Sequence, residues 1–266
     1  MIFGALDERS LAWRVALACQ REGARFTLSN APLAMRLGTL QKLGELTDSE
    51  VFPCDVSDYK QVVELIKKTI DSTGKLDFIL HAVGMSPNIR KRIEYSQLNY
   101  GLMRQTLDIS AISLHKILQA CVQNKALNDG ASIIALTYIG AQRVFSKYSD
   151  MNDAKALLES IARNFGSRLG QKGIRVNTIS QGPTKTSAGS GIRGFDAMYE
   201  FADKLSPLGN PSADDCADYC VTLFSDLTRK VTMQNLFHDG GFSTNGISEE
   251  LIFDLIALNE QKNTSE

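Results

Sequence analysis

The sequence predicts an α/β fold in which helices cover both faces of a doubly wound parallel sheet. Short runs rich in β-branched residues alternate with segments of helical periodicity along most of the chain, and such alternation is typical of parallel α/β sheets. Several strand candidates, such as residues 78–80 and 133–136, are almost wholly apolar. Continuous apolar runs indicate strands that are covered by helices on both faces.

Each predicted strand is a short apolar run, and each predicted helix carries apolar residues at helical spacing. The strands are predicted over residues 25–29, 51–54, 76–83, 132–138, 174–180 and 233–237, after a short apolar start, Met1-Ile2-Phe3. The helices are predicted over residues 10–22, 58–72, 100–122, 148–169 and 213–225. Because no Pro/Gly linker, repeat or low-complexity segment divides them, we predict one domain over residues 1–266.

Two regions depart from the alternation. Residues 184–208 begin with small residues and continue as an amphipathic stretch, and an irregular insertion of this length is usually functional or disordered. In the tail, residues 247–266, one helical stripe is formed by Ile247, Leu251, Leu255 and Leu258. We expect this stripe to dock on the chain itself or on a neighbouring subunit.

Composition and charge narrow the class of protein. The 29 basic residues are balanced by 30 acidic ones, which argues against a dedicated nucleic-acid surface. No signal peptide is evident, and no apolar run approaches the roughly 18 residues of a membrane span. The cysteines are odd in number and form no C-x-x-C pair, so we expect reduced thiols, no metal site and a cytoplasmic location. They are Cys19, Cys54, Cys121, Cys216 and Cys220.

The first candidate ligand site follows the first strand, because doubly wound sheets bind ligands beyond the carboxyl ends of their strands. The dinucleotide fingerprint G-x-G-x-x-G is absent, but Gly4 is followed by Ser10, which opens a helix. Glycine permits a tight turn or a close backbone approach. The helix start supplies amide donors for a pyrophosphate. The alternative is an ordinary strand–turn–helix with a serine cap.

Two further strand ends carry candidate binding residues. Asp55 either accepts a hydrogen bond from an adenine amino group or caps the helix near Asp58. Gly84 either lets the backbone approach a ribose or simply ends a strand. His81 lies in an apolar run, where a hydrogen-bonded core histidine is expected rather than a catalytic one.

The most informative cluster comprises Tyr138, Tyr148 and Lys155. Tyr138 ends an apolar strand, and Tyr148 and Lys155 are seven residues apart in a segment predicted to be helical. Seven residues make nearly two turns, so the two side chains are predicted to share a helix face. A nearby ammonium favours the ionised form of a phenol, which suits a partner for a developing oxyanion. The alternative is two unrelated surface residues.

Taken in order, these residues resemble the divergent short-chain dehydrogenases typified by bacterial enoyl-[acyl-carrier-protein] reductase. The spacing Tyr-x6-Lys separates that family from ordinary short-chain dehydrogenases, which use Tyr-x3-Lys; position 152 here is Asn. The similarity runs over nearly the whole chain. It rests on Gly4…Ser10-x-Ala12, Cys54-Asp55-Val56, His81-x-x-Gly84, Tyr138…Tyr148…Lys155, the segment 175–183 and the segment 238–242.

The resemblance implies a Rossmann sheet, a homotetramer, and hydride transfer from a reduced nicotinamide to C3 of a trans-2-enoyl thioester on acyl carrier protein, as in fatty acid elongation. The catalytic residues implied are Tyr138, Tyr148 and Lys155. Tyr148 would hydrogen-bond the enolate oxygen, Lys155 would hold the nicotinamide ribose, and Tyr138 would line the acyl site and assist. Ser86 matches a substrate-binding position, and residues 184–208 match a loop that closes over the site. The matching cofactor positions are Gly4, Ser10, Leu11, Asp55, Val56, Val83, Lys155, Thr184, Lys185, Thr186, Ser187 and Ala188.

Departures from the family pattern bear on the cofactor and the partner. Ala31 stands where relatives often have a polar residue, and Arg36 is a cation that would meet the 2′-phosphate of NADPH. Of the two cofactors, NADH is favoured slightly. Beyond Arg193 the loop carries Asp196 and Ala197, so part of the basic character expected for docking an acidic carrier protein is missing. The alternatives are a short-chain carbonyl or 3-oxoacyl thioester reductase and a non-catalytic dinucleotide-binding scaffold.

Overall fold

The computed structural model describes residues 1–36, 39–187, 189 and 194–263. Seven parallel strands form one sheet in the order β3-β2-β1-β4-β5-β6-β7. This confirms the doubly wound α/β fold. The strands are β1 (Ile2–Phe3), β2 (Leu28–Asn30), β3 (Val51–Pro53), β4 (Leu76–His81), β5 (Leu127–Thr137), β6 (Arg175–Gln181) and β7 (Asn235–His238).

The helices connect successive strands and pack on both faces of the sheet. Before β5 they are α1 (Leu11–Arg21), α2 (Pro32–Met35), α3 (Thr39–Thr47), α4 (Tyr59–Thr73), α5 (Pro87–Arg90), α6 (Tyr100–Leu107) and α7 (Ser113–Gln123). After β5 they are α8 (Asp150–Leu169), α9 (Phe195–Leu205), α10 (Ala213–Phe224) and α11 (Glu249–Asn263).

Two apolar cores explain why the strands read as continuous apolar runs. On one face, Phe3 and Ile133 pack with Leu114 of α7 and Leu158 of α8. On the other face, Ile134 packs with Trp13 of α1 and with residues of α10. Neighbouring residues of a strand point to opposite faces. With a core on each face, all of β6 and the C-terminal parts of β4 and β5 are buried.

Several predicted boundaries were wrong. The helix predicted over residues 100–122 is divided by a π turn at Asp108–Ile112. Helices α2 and α3 lie in a segment for which no element was predicted, and α9 lies inside the predicted loop 184–208. Short amphipathic helices such as these are fixed by packing, for example by Leu40 and Leu43 of α3, which are fully buried in the second core.

The tail forms helix α11, which leans on α9. Lys204 Nζ lies 2.5 Å from Asp254 Oδ2 and 3.6 Å from Glu250 Oε1. Of the predicted stripe, Leu251 packs beside the cluster of Tyr138 and Phe242, whereas Ile247, Leu255 and Leu258 are 64%, 61% and 52% exposed. Among the described helices, none combines the length and apolarity that crossing a membrane would need.

Candidate active site

The strand order places a cleft beyond β1 and β4. From β1 the sheet proceeds to β2 and β3 on one side and to β4 and β5 on the other, and ligands of doubly wound sheets bind at such a switch point. Gly4 follows β1, Ala82 and Val83 follow β4, and Tyr138 follows β5. The residues predicted from the sequence therefore meet at one edge of the sheet.

The first turn needs glycine for its conformation and its packing. Gly4 has φ +96°, and a Cβ there would lie 2.2 Å from the carbonyl oxygen of Ala82. Ser10 donates from Oγ to the carbonyl of Asp7 (2.7 Å) and accepts from the amide of Leu6 (3.1 Å). Its hydroxyl shapes the turn and makes no cap bond to α1. The alternative of a plain serine cap was therefore wrong, and the first amides of α1 stay available to an anion.

The hydrogen bonds of Asp55 distinguish between the two roles considered for it, adenine binding and helix capping. Asp55 Oδ1 accepts hydrogen bonds from the amide (2.9 Å) and the hydroxyl (2.7 Å) of Ser57. The cap of α4 is Asp58, which accepts from the amides of Lys60 and Gln61. Asp55 is thus no helix cap, and the adenine contact stays a prediction for it, as does the cofactor contact of the buried Val56.

Two tyrosines converge beyond β5. The ring centroids of Tyr138 and Tyr148 lie 5.0 Å apart, with the planes at 67°. Gly140 fits between them, because a Cβ on this glycine would lie 3.1 Å from Cδ1 of each ring and 2.5 Å from Asn152 Oδ1. Phe145 also contacts Tyr138, at a centroid distance of 5.0 Å. The pair is therefore held in place by packing.

Tyr148 does not stand on the helix that carries Lys155, contrary to the prediction. Helix α8 begins at Asp150, and Ser149 has φ 47° and ψ −133°. This left-handed backbone keeps Tyr148 in a turn, where its amide donates to the carbonyl of Phe145 (2.9 Å). The argument that two helical turns put Tyr148 and Lys155 on one face is therefore wrong, and the turn, not the helix, presents the phenol.

Lys155 is buried on α8 with its ammonium at the end of β5. Its exposed fraction is 7%, and Nζ donates to the carbonyl of Leu136 over 2.8 Å. A Cβ on Gly84 would lie 3.9 Å from this Nζ, so the turn after β4 passes beside the amine. Burial lowers the pKa of Lys155 to about 8, against the opposing charge of Glu159.

The predicted direction of the tyrosine shift was wrong. Burial raises the pKa of Tyr148 above its ordinary value, and burial together with Tyr148 and Asp239 raises that of Tyr138. Desolvation of the phenolate is the largest cause of both shifts. Both phenols are neutral at physiological pH and act as hydrogen-bond donors.

The hydroxyl of Ser86 belongs to a buried network around Asp150. Asp150 is fully buried and accepts from Ser86 Oγ (2.6 Å), Asn88 Nδ2 (2.8 Å) and Thr106 Oγ1 (2.8 Å). Ser86 Oγ also accepts from the amide of Ile89 (3.0 Å). The substrate contact stays a prediction for Ser86, whose hydroxyl has these two partners. The network joins α5 and α6 to the first residue of α8, two residues after Tyr148.

The predicted loop approaches the first turn from the opposite side of the cleft. Thr184 Oγ1 lies 3.0 Å from the carbonyl oxygen of Gly182 and 3.2 Å from that of Pro211. Lys185 Nζ lies 4.5 Å from the centroid of the Tyr199 ring, and the hydroxyl of Ser187 bonds to the carboxylate of Asp7. The cofactor roles of these residues stay predictions.

Thr186 and Ala188 are the remaining residues of that loop for which a cofactor contact was predicted. Thr186 Oγ1 accepts from the amide of Gly189 over 3.0 Å. Ala188, predicted to bind the cofactor, lies outside the described residues. Between loop and first turn lies a cavity of about 260 Å³; its lining includes Glu8, Arg9, Arg14, Thr184 and Lys185.

Sequence reasoning missed three residues that shape the site. Gly140 spaces the tyrosines, Asp150 anchors the start of α8, and Glu159 accepts from the hydroxyl of Thr137 (3.0 Å) beneath them. Burial raises the pKa of Glu159. In the sequence, Asp150 and Glu159 look like ordinary acidic residues of a helix. Only their spacing, which places them on the helix face toward the core, could have indicated that they are buried.

Replacing Gly140 with Ala is expected to destabilise the protein by about 1–3 kcal/mol and to lower kcat, because the new methyl group overpacks the space between the two tyrosine rings. Urea unfolding and steady-state kinetics measure the two effects. Gly170→Ala is the matched control, since a Cβ there meets nothing within 4 Å. Equal stability and activity of the two variants would contradict the spacing role.

A seven-stranded parallel sheet with this cleft, and with a tyrosine pair and a buried lysine beyond its fifth strand, has the arrangement of the short-chain dehydrogenases. Fold and site together define the class: a Rossmann-type oxidoreductase.

Comparison with known proteins narrows this class. A family model described as Enoyl-(Acyl carrier protein) reductase matches residues 4–243. The chain is 33% identical over 246 residues to enoyl-[acyl-carrier-protein] reductase [NADH] 2 of Rhizobium meliloti, covering 91% of this chain and 90% of that protein. The chain belongs to the enoyl-[acyl-carrier-protein] reductase family.

Solved structures agree with this membership. The crystal structure of the FabI–NADH complex from Alistipes finegoldii is 53% identical, with a TM-score of 0.91, covering 93% of this chain and 88% of that one. The Bacillus cereus enoyl-acyl carrier protein reductase, solved with NADP⁺ and indole naphthyridinone, is 29% identical, with a TM-score of 0.87, covering 92% of this chain and 96% of that one.

Proposed function

We propose that this chain reduces the trans-2 double bond of enoyl thioesters carried by acyl carrier protein, with NADH as the reductant, in fatty acid elongation. The proposal depends on one observation: Tyr138 and Tyr148 pack together beyond β5, and the buried ammonium of Lys155 bonds to Leu136 of the same strand. The relatives of this chain are named enoyl-[acyl-carrier-protein] reductase [NADH]. The Tyr-x6-Lys spacing supports this activity over carbonyl reduction.

The residues present suit a dinucleotide. The uncapped start of α1 offers backbone amides and the positive end of a helix dipole to a pyrophosphate. Lys155 has three N–H donors, of which the Leu136 carbonyl takes one, so donors remain for ribose hydroxyls. Ala31, at the end of β2, is exposed and neutral, which favours NADH over NADPH because a 2′-phosphate needs a cation.

The chain's own groups would stabilise the charge that develops during reduction. The bound nicotinamide supplies the hydride. Tyr148, as a neutral phenol, donates a hydrogen bond to the thioester oxygen as it gains negative charge. Lys155 holds the ribose and adds a positive charge beside the reacting atoms. Tyr138, Phe145 and Phe242 form an aromatic wall that excludes water and strengthens these interactions.

Turnover of an enoyl thioester such as crotonyl-acyl carrier protein, followed by loss of NADH absorbance, tests the proposal. We expect saturable reduction of the double bond. Reduction of a 3-oxoacyl thioester while enoyl thioesters stay inert would indicate a carbonyl reductase. Tight NADH binding without turnover of either substrate would indicate a dinucleotide-binding scaffold.

The homotetramer and the cytoplasmic location stay predictions. Leu255, Leu258 and Ile247 of the tail are more than half exposed, which leaves an apolar surface available to another subunit. Sedimentation equilibrium measures the assembly state, and a monomer at micromolar concentration would contradict the tetramer.

The affinity for NADH is expected to fall as pH rises through about 8, the lowered pKa of Lys155. Below this value the amine is an ammonium that can bind ribose oxygens; above it the neutral amine has lost its charge. Both tyrosine pKa values are raised, so neither phenol titrates in this range. Isothermal titration calorimetry measures the dissociation constant against pH. A flat profile in the wild type, or the same step in Lys155→Met, would contradict the assignment.

A further inference from the structure

An acidic surface lies on one side of the site. We define it by Asp196, Glu200 and Asp203 of α9 with Glu250 and Asp254 of α11. The three residues of α9 are exposed, and they line a cavity of about 330 Å³ together with Lys185 and Tyr199. The lysines on this side are already engaged, because Lys204 contacts Glu200, Glu250 and Asp254 and Lys185 lies over the Tyr199 ring.

A separate basic surface lies where α5 ends. It consists of Arg90, Lys91 and Arg92, all exposed. Across the part of the chain that the structure describes, none of the three has a carboxylate within 4.0 Å. Arg92 has φ 58°, and its amide donates to the carbonyl of Ile89 over 2.9 Å. The chain therefore turns sharply here and holds three uncompensated cations together.

The segment that carries the basic surface contacts the turn that presents Tyr148. Ser86 and Asn88, on the helix that carries Arg90, both donate to the buried carboxylate of Asp150. Lys147, next to Tyr148, lies 3.7 Å from Glu94, two residues after Arg92. Two separate contacts thus hold the segment 86–94 against the segment 147–150, so the three cations lie on a segment that contacts both neighbours of the Tyr148 turn.

We propose that the acyl carrier protein docks on Arg90, Lys91 and Arg92 and that the α9 side of the site does not form the docking surface. This rests on the proposed function, because the carrier is the partner only if the substrate is a carrier-bound thioester. An acidic partner is repelled by the carboxylates of α9 and α11 and attracted by unpaired cations. Attraction of this kind acts on association and weakens with salt.

The double variant R90E/K91E tests the proposal while leaving Arg92 and its turn intact. We expect KM for enoyl-acyl carrier protein to rise by about 10-fold or more, because opposing rim charges slow association. The kcat/KM for the uncharged enoyl-N-acetylcysteamine thioester should stay within about 2-fold, since this small substrate needs no docking surface. The matched control is K67E/K68E, which makes the same change of charge at two exposed lysines of α4.

Other outcomes separate this proposal from the proposed function. An unchanged KM for the carrier substrate in R90E/K91E, or an equal rise in K67E/K68E, would overturn the docking surface while leaving the activity intact. Wild-type protein that reduces neither substrate would overturn the function. In that case, fluorescence anisotropy of labelled carrier protein still compares its binding to the wild type and to R90E/K91E, because this measurement needs no turnover.

A second measurement covers the case in which R90E/K91E does not fold. For the wild type, we expect KM for the carrier substrate to rise with sodium chloride while KM for the small thioester stays constant. Lys91→Glu alone should reduce this salt dependence. A carrier KM that does not respond to salt, or an unaltered salt response in Lys91→Glu, contradicts docking on these cations.

Discussion

Replacing Tyr148 with Phe is expected to lower kcat for enoyl thioester reduction by about 100- to 1,000-fold, the usual cost of removing one oxyanion donor. Phenylalanine keeps the ring that packs on Tyr138 and Gly140 and removes only the hydroxyl. The dissociation constant for NADH should stay near its wild-type value. Steady-state kinetics and calorimetric titration with NADH measure the two quantities.

Tyr138→Phe is the matched control. The Tyr138 hydroxyl has one described contact, the sulfur of Met198 at 3.8 Å, which is a weak acceptor. We therefore expect a loss of less than about 10-fold in kcat from this variant, well below the loss of an oxyanion donor. If Tyr138→Phe lowers kcat more than Tyr148→Phe does, Tyr138 is the oxyanion donor instead of Tyr148. Full activity in Tyr148→Phe would show that the Tyr148 hydroxyl takes no part in the reaction.

Lys155→Met is expected to weaken NADH binding by about 10-fold or more and to lower kcat as well. Hydrogen bonds from a charged donor are worth about 1.5–3 kcal/mol, and methionine fills a similar volume without charge or donors. Because Lys155 is buried and its pKa is lowered to about 8, the free protein should lose little stability when the amine is removed. Calorimetry with NADH and urea unfolding measure these effects.

Arg168→Met serves as the control for this variant, since Arg168 is an exposed cation on the same helix. It should bind NADH as the wild type does. A Lys155→Met protein with wild-type affinity for NADH would contradict the ribose contact, and the lysine would then have only a structural bond to Leu136.

The sheet was predictable because burial leaves a strong signature. Strands β4 and β5 contain successive apolar residues and were recognisable from them, although their ends shifted by a few residues; β5 begins at Leu127 instead of 132. The short helices α2 and α3 carry no comparable pattern, because nine or fewer residues give too few repeats of a period.

The residue types of the candidate site could be predicted from the sequence, but the way they are arranged in space could be predicted only in part. Tyr138 follows β5, and the ammonium of Lys155 bonds to Leu136 of the same strand. The turn at Ser149, with φ 47°, is decided by the residues around it: Gly140 leaves room for both rings, and Asp150 is fixed by donors from 44 to 64 positions earlier in the chain. Contacts of such sequence separation have no local signal.

By itself, the sequence determined the parallel sheet and the family, since these depend on local periodicity and on the order of short motifs. Only the tertiary structure decided that Tyr148 stands in a turn, that burial raises the pKa of its phenol, and that three carboxylates of α9 line one cavity. The physical reason is that solvation and charge depend on what surrounds a group in space. Burial raises the pKa of Tyr148, whereas the sequence reasoning expected an ammonium to lower it.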